Sequence, residues 1–170
     1  MTKIDKTDIA IVNLLIQDGR MPCAQIARRL GDISERAVRY RINRLVREQV
    51  MCVSAIANPR SVGLDVIADV WIEVDADAIQ RVAQALTAYD CISYVAYAIG
   101  ETDVSVQVVA ANTGEVYRFV TDVIRKVPGV RKTTTSIVPQ VLKDVYQWRL
   151  PSSACSNAPA DNDHKIQSHE

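Results

Sequence analysis

Between Ile33 and Val50 the chain reads ISERAVRYRINRLVREQV, and six side chains on and beside one face of it can hydrogen-bond a base edge or a phosphate. On a helical wheel Arg36, Tyr40, Asn43 and Arg47 share one side, flanked by Arg39 and Arg44. A duplex major groove admits one α-helix, and the forked ends of Arg and Asn match guanine and adenine edges. A solvated charged face is the other reading of such a helix. Ordinary surface helices, however, alternate their cations with acids, and this window holds only Glu35 and Glu48. Arg36, Arg39, Tyr40, Asn43 and Arg44 are therefore candidate DNA contacts, with Arg28 and Arg29 just upstream as candidate phosphate contacts. A second place for chemistry is Gly100-Glu101-Thr102-Asp103. There a glycine can leave a backbone N–H open to a carboxylate, and an aspartate can answer an ammonium group. Its composition alone equally supports a plain hairpin turn.

These groups need elements to hold them. Ser34 suits a helix N-cap, and Val38, Ile42, Leu45 and Gln49 recur at helical spacing as a seam that packs on a neighbour. Upstream, Asp5 and Asp8 suit a helix start, Ile11, Leu14 and Leu15 form its buried stripe, and Gly19 is expected to stop it in the left-handed conformation. Pro22 opens a second helix over Cys23 to Leu30, which Gly31 ends. Two short helices joined by a tight glycine turn, the second basic on one face, make a helix-turn-helix pattern. Residues 1–51 form this first module. Residues 52–63 follow as a linker, with a short strand expected over Cys52 to Ala57 and a break at Asn58-Pro59.

Residues 64–150 read as a second module. Val66, Ala68, Val70, Ile72 and Val74 alternate with Ile67, Asp69, Trp71, Glu73 and Asp75, so one strand face is buried. Helical spacing follows over Asp77 to Tyr89, then β-rich runs over Ile92 to Ile99 and Val104 to Ala110. An amphipathic helix through Val116 to Val127 and a strand over Val130 to Val138 complete the order βαββαβ. That order is ferredoxin-like, one antiparallel sheet with two helices on one face, which makes the whole chain α+β. The bare sheet face, with Trp71, Val95 and Tyr97 assigned to it, is expected to be covered by a second copy in a homodimer or higher homo-oligomer. Lys143 to Leu150 is expected to close this module, and residues 151–170, with almost no large apolar side chain, to form a disordered tail.

Composition agrees with two small soluble modules. The net charge is zero, but residues 1–50 hold ten Lys/Arg against six Asp/Glu, and the remainder ten against fourteen. A basic module joined to an acidic one is the expected pattern where only the first meets phosphates. No apolar run approaches the ~18 residues of a membrane span. The N-terminus alternates charged and apolar residues, so no secretion signal and no membrane partner are expected. Cys23, Cys52, Cys91 and Cys155 are far apart and form no C-x-x-C pair, which fits reduced thiols in a cytoplasmic protein. The only histidines, His164 and His169, make no obvious metal pair, and no metal or other cofactor is expected.

Three segments together carry a family likeness: D-x-x-D-x-x-I-V-x-x-L-x-x-D-G-R from Asp5, Q-I-A-R-R-L-G from Gln25, and S-x-x-x-V-x-x-R-I-x-x-L from Ser34. They resemble the N-terminal domain of the leucine-responsive/asparagine-responsive (Lrp/AsnC-type) transcription regulators over Asp5 to about Met51. Two departures stand out. The turn Gly31-Asp32-Ile33-Ser34 is one residue longer than the family's Gly-x-Ser, and Gln49 stands where a glycine is common. Arg41 matches the family's arginine at the edge of the seam, with an intramolecular partner such as Asp8 or Asp18 expected. The second module is similar to the family's effector-binding, oligomer-forming domain, with Gly100-x-x-Asp103 and Thr133-x-Thr135 at its recurrent positions. The likeness implies a regulator of double-stranded DNA that binds a small effector, an amino acid, through Tyr97, Gly100, Thr102, Asp103, Thr133 and Thr135. Two alternatives stay open. One is a ligand-independent architectural protein that wraps DNA on the same fold. The other is an enzyme of the fold-related haem-pathway decarboxylase type, but this chain has no histidine before His164 to carry acid–base work.

Overall fold

The structure is a computed structural model in which residues 3–155 are described. Residues 156–170, the larger part of the expected tail and the place of both histidines, lie outside the described residues. The chain divides into two compact units, Met1–Ala55 with Leu142–Glu170, and Ile56–Val141.

The first unit is built on three helices, α1 (Lys6–Gln17), α2 (Cys23–Leu30) and α3 (Glu35–Arg47). Asp5 caps α1 in a reciprocal box: its carboxylate accepts from Asp8 N at 2.8 Å, while Asp8 Oδ2 accepts from Asp5 N at 3.1 Å. Ser34 Oγ accepts from Ala37 N at 3.3 Å and starts α3. Ile11, Met21, Ile26 and Val38 form the core, with Leu14, Leu30 and Ile42 packed against it. The expectation for Gly19 is corrected. The helix already ends at Gln17, and Asp18, in an extended conformation (φ −147°), makes the turn by accepting from Arg20 N at 3.0 Å. No left-handed residue is needed there. Gln49 is not part of the packed seam either. It lies beyond the end of α3, exposed, with φ at +57°, a conformation that glycine adopts freely and glutamine does not.

Residues 142–155 also belong to this unit rather than closing the second module. The Asn13 carboxamide donates to Leu150 O (3.1 Å) and accepts from Leu150 N (2.9 Å), so one side chain on α1 satisfies both polar groups of a distant backbone unit. Short 3₁₀ turns at Val145–Gln147 and Ser152–Ala154 follow, and Cys155 is buried, so the chain stays ordered past the expected boundary at Leu150. Tyr146 and Trp148 remain exposed.

Cys52 to Ala57 makes no strand within this chain. A strand requires a hydrogen-bonding neighbour, and this stretch has none among the described residues; Val53 and Ile56 stand exposed. A 3₁₀ turn at Pro59–Val62, capped by Asn58, belongs to the second unit and leads into its sheet.

That unit is the expected ferredoxin-like sandwich: β1 (Val66–Val74), α4 (Ile79–Leu86), β2 (Ile92–Tyr97), β3 (Val104–Ala110), α5 (Thr113–Asp122) and β4 (Val130–Val138). The antiparallel sheet has the order β2-β3-β1-β4. Ala68, Val70, Ile72 and Val74 meet Val82 and Leu86 of α4, Val116 and Val120 of α5, and Ile124 from the 3₁₀ turn after it. One assignment to the open sheet face is corrected. Directly opposed residues share a face, and Val95 and Tyr97 oppose Val106 and Val104, both core residues. Tyr94, opposite Gln107, lies on the open face with Trp71 instead. The cause is a register shift between Ile92 and Tyr94 that reverses the inside–outside alternation.

Candidate DNA interface and effector turn

The chemistry of α3 depends on which of its arginines are already answered within the fold. Asp8, one turn into α1, is only 1% exposed, and an ionised carboxylate there requires partners. Arg41 supplies them, with Nη1 at 2.8 Å from Asp8 Oδ1 and 2.6 Å from Asp5 Oδ2. Arg44 Nη2 bonds Asp8 Oδ2. The two arginines and two aspartates thus clasp α3 to α1, as expected for Arg41 but not for Arg44. Arg44 is therefore corrected from an outward DNA candidate to an internal partner of Asp8, its side chain only 24% exposed and its Nε buried without a hydrogen bond. The arrangement shifts titration in the expected sense. Asp5 is held below the ordinary carboxylate value: partial burial pushes it up, but the Arg41 guanidinium and the Asp8 and Thr7 backbone bonds outweigh that. The hydrogen bonds that Arg41 donates to Asp5 and Asp8 raise its own pKa.

With Arg41 and Arg44 turned inward, the outward face of α3 carries Arg36, Arg39, Tyr40 and Asn43, all exposed. Arg39 holds Glu35 at 2.5 Å across one helical turn, an exposed pair that water and phosphates can readily exchange. Arg28 and Arg29 lie exposed in the last turn of α2.

In the second unit the Gly100 turn joins β2 to β3, closed by Ala98 N donating to Asp103 O at 2.8 Å. Gly100 adopts φ +141°, exposed and with nothing within 4 Å of the Cβ position, so the turn is open to solvent. Asp103 is partly engaged: its Oδ2 accepts from Val74 N at 2.8 Å, which leaves Oδ1 as the available acceptor. Tyr97 borders a small cleft against α4, beside Gln84 and Thr87. Thr133 and Thr135 lie on β4 opposite Ile72 and Val70, with β1 between them and β3. Two strand spacings, roughly 10 Å, separate them from the strand that the turn begins. One chain therefore brings Tyr97, Gly100, Thr102 and Asp103 to one end of the β2–β3 hairpin and keeps the two threonines apart from it. Among the described residues there is no cluster of metal-ligating side chains, and no helix is long and apolar enough to cross a membrane.

A three-helix unit with an outward cationic helix, followed in the chain by a ferredoxin-like unit, is the build of a two-module DNA-binding regulator. The AsnC-type helix-turn-helix domain is recognised over residues 4–46 and the Lrp/AsnC ligand binding domain over residues 67–148. An uncharacterised HTH-type transcriptional regulator of Pyrococcus abyssi is 33% identical over 145 residues, 85% of this chain and 91% of its own length. The HTH-type transcriptional regulator FL11 of the same organism is 32% identical over 85% of this chain and 95% of its own. Among solved structures, Escherichia coli AsnC superposes with a TM-score of 0.77 at 19% identity, covering 85% of this chain and 99% of that one. A Neisseria meningitidis transcriptional regulator in complex with L-Met superposes with a TM-score of 0.79 at 24% identity, covering 87% and 96%. The chain belongs to the Lrp/AsnC family of transcriptional regulators: it is a DNA-binding regulator with a ligand-binding domain, not an enzyme.

Proposed function

We propose that the chain reads specific DNA sites through Arg36, Arg39, Tyr40 and Asn43, with Arg28 and Arg29 on phosphates, and that a free amino acid at the Gly100–Asp103 turn tunes its assembly and DNA affinity. The observation that carries the first part is the division of the α3 arginines. Arg41 and Arg44 satisfy Asp8, while Arg36 and Arg39 point outward from the N-terminal half of the helix, the half that usually reaches base edges. Arg36→Ala or Arg39→Ala should reduce specific binding by about 1–3 kcal/mol and relax sequence preference. Arg28→Ala or Arg29→Ala should weaken all sequences alike. Operators selected from random DNA and titrated by fluorescence anisotropy give both numbers; unchanged affinity in both α3 variants overturns the reading.

For the effector, the open Gly100 amide suits a carboxylate and Asp103 Oδ1 suits an ammonium, while Thr133 and Thr135 would come from a second copy. A neighbour of the same fold bound to L-Met supports the ligand class. Trp71 and Tyr94 on the open sheet face support a homodimer, so residues 56–141 alone should sediment as at least a dimer. Linkage between ligand and DNA would be of order 1–3 kcal/mol. One observation favours a second reading, a ligand-independent DNA-organising protein: Asp103 already serves the fold through Val74 N. Thermal shift with the twenty amino acids, on wild type and on Asp103→Asn, separates the two. An amino acid that stabilises wild type but not Asp103→Asn supports the effector site; no stabilising amino acid supports the second reading.

A further inference from the structure

At the far end of β3 from the Gly100 turn, between that strand and α5, lies a cavity of about 400 Å³. Its size falls within the range typical of small-ligand sites, about 300–1,000 Å³. Val108 and Val109 from β3 and Phe119 and Val123 from α5 make apolar walls. The α5 side of the rim carries three charged side chains, Glu115, Arg118 and Asp122, spaced so that they follow one another along one helix face.

Two of these charges are already answered. Glu115 uses both carboxylate oxygens at the start of α5, accepting from Ala111 N and from Asn112 Nδ2, each at 3.1 Å. Asp122 holds Lys126 at 3.2 Å. Arg118 has no ion-pair partner among the described residues. An apolar cavity with one unanswered guanidinium at its mouth complements an anion with an apolar body, and the planar fork of Arg suits a carboxylate. An α-ammonium group would find Glu115 spent on the helix cap and would have to share Asp122 with Lys126.

We propose that this cavity binds a small apolar monocarboxylate, its tail against Val108, Phe119 and Val123 and its carboxylate on Arg118. The site is separate from the amino-acid turn and does not depend on it. Cys91 lines the same cavity and reports on its occupancy. Burial pushes its thiol up, so it alkylates slowly, and a ligand over it slows the reaction further.

The test uses the full chain with hydrocinnamate and isocaproate, which lack the amine that the Gly100 turn would require. Calorimetry measures binding, and peptide-level mass spectrometry follows iodoacetamide labelling of Cys91 against exposed Cys52. Expected results are saturable binding, protection of Cys91 but not Cys52, and the same affinity in Gly100→Val. Arg118→Gln should weaken binding about ten- to hundredfold, the value of a charge-assisted hydrogen bond, and Arg118→Lys should fall between. Arg118 is exposed, so both variants are expected to fold, and circular dichroism checks that they do. No binding by either acid overturns the proposal, as does undiminished binding in Arg118→Gln. Equal protection of Cys91 by hydrocinnamyl alcohol removes the carboxylate from the proposal, and stronger protection by phenylalanine than by hydrocinnamate overturns the preference for an acid without an α-ammonium group.

Discussion

Arg44→Ala separates an internal arginine from a DNA-reading one. In the folded chain Arg44 shares the carboxylate of Asp8 with Arg41. Removing it deletes one charge-assisted hydrogen bond to a buried acid, worth about 1.5–3 kcal/mol. It also deletes part of the packing of a side chain that is three-quarters covered. One term opposes these: Arg44 Nε is buried without a partner, and its removal recovers part of a desolvation penalty of about 1–3 kcal/mol. Arg41 remains on Asp8, so the carboxylate is never left bare. The net expectation is about 1–3 kcal/mol, confined to the α1–α3 contact.

Hydrogen exchange on the full chain, read in peptides from α1 and α3, measures this locally, without assuming that two units unfold together. At about 1.4 kcal/mol per factor of ten, Arg44→Ala should accelerate exchange roughly 5- to 150-fold in those peptides and leave β1 and β3 unchanged. Arg36→Ala is the contrast. Its side chain is exposed and has no ion-pair partner among the described residues, so exchange should stay within about 0.5 kcal/mol of wild type while DNA affinity falls. Asp8→Asn should exceed Arg44→Ala, at about 2–4 kcal/mol, since the partly buried Arg44 loses its counter-charge and Arg41 keeps only Asp5. The reasoning is refuted if Arg44→Ala exchanges like wild type throughout α1 and α3 while losing as much DNA affinity as Arg36→Ala.

Three further outcomes follow from single positions. Gly129→Ala should destabilise the second unit by about 2–5 kcal/mol in thermal melts, because φ is +101° there and a Cβ would stand 2.4 Å from the buried Ala78 Cβ. Gln49→Gly should stabilise the first unit by about 0.5–1 kcal/mol, the relief of a left-handed glutamine less the extra chain entropy of glycine; a lower melting temperature contradicts it. Asp5 gives a pH dependence. Its carboxyl is held below the ordinary value in the fold, so its stabilisation is complete above the ordinary carboxylate range and is lost as pH falls through the lower, folded value. Asp5 is half exposed, which limits the effect to under about 1 kcal/mol. Asp5→Asn should flatten that part of the acid limb of the stability curve, and an acid limb identical to wild type contradicts the pairing.

What could be read ahead of the structure was what local chemistry decides. The bounds of α2, β3 and β4 follow from apolar periodicity, with Gly31 ending α2, the Gly100–Asp103 turn preceding β3 and Pro128-Gly129 preceding β4, and Asp5 and Ser34 cap the helices they precede. What escaped depends on partners distant in the chain. Asn13 and Leu150 stand 137 residues apart, and nothing in either segment announces that a single carboxamide will hold a backbone unit of the other. The face of Val95 and Tyr97 depends on one register shift near Ser93, invisible to any count of alternation. Cys52 to Ala57 has strand-like composition but no hydrogen-bonding neighbour among the described residues.

The arginines of α3 show why the basic face was legible as a face but not residue by residue. A helical wheel places Arg44 about 100° from Leu45, outside the seam, and only its long side chain lets it reach back across the interface. What decides is the acid across the interface. Asp8 sits inside α1 because the capping box places it there, and a buried carboxylate there draws two cations before any ligand arrives. Those two charges are spent on orienting α3. Arg36, Arg39, Arg28 and Arg29 remain accessible, with Glu35 the one acid paired among them. The salt dependence of DNA binding should accordingly count contacts from these four and not from Arg41 or Arg44. Each phosphate contact removed should lower the slope of log affinity against log salt by about one. Arg28→Ala should therefore reduce that slope. A conservative Arg44→Lys, which keeps a cation on Asp8, should leave it unchanged, and a reduced slope in Arg44→Lys would place Arg44 on the DNA after all.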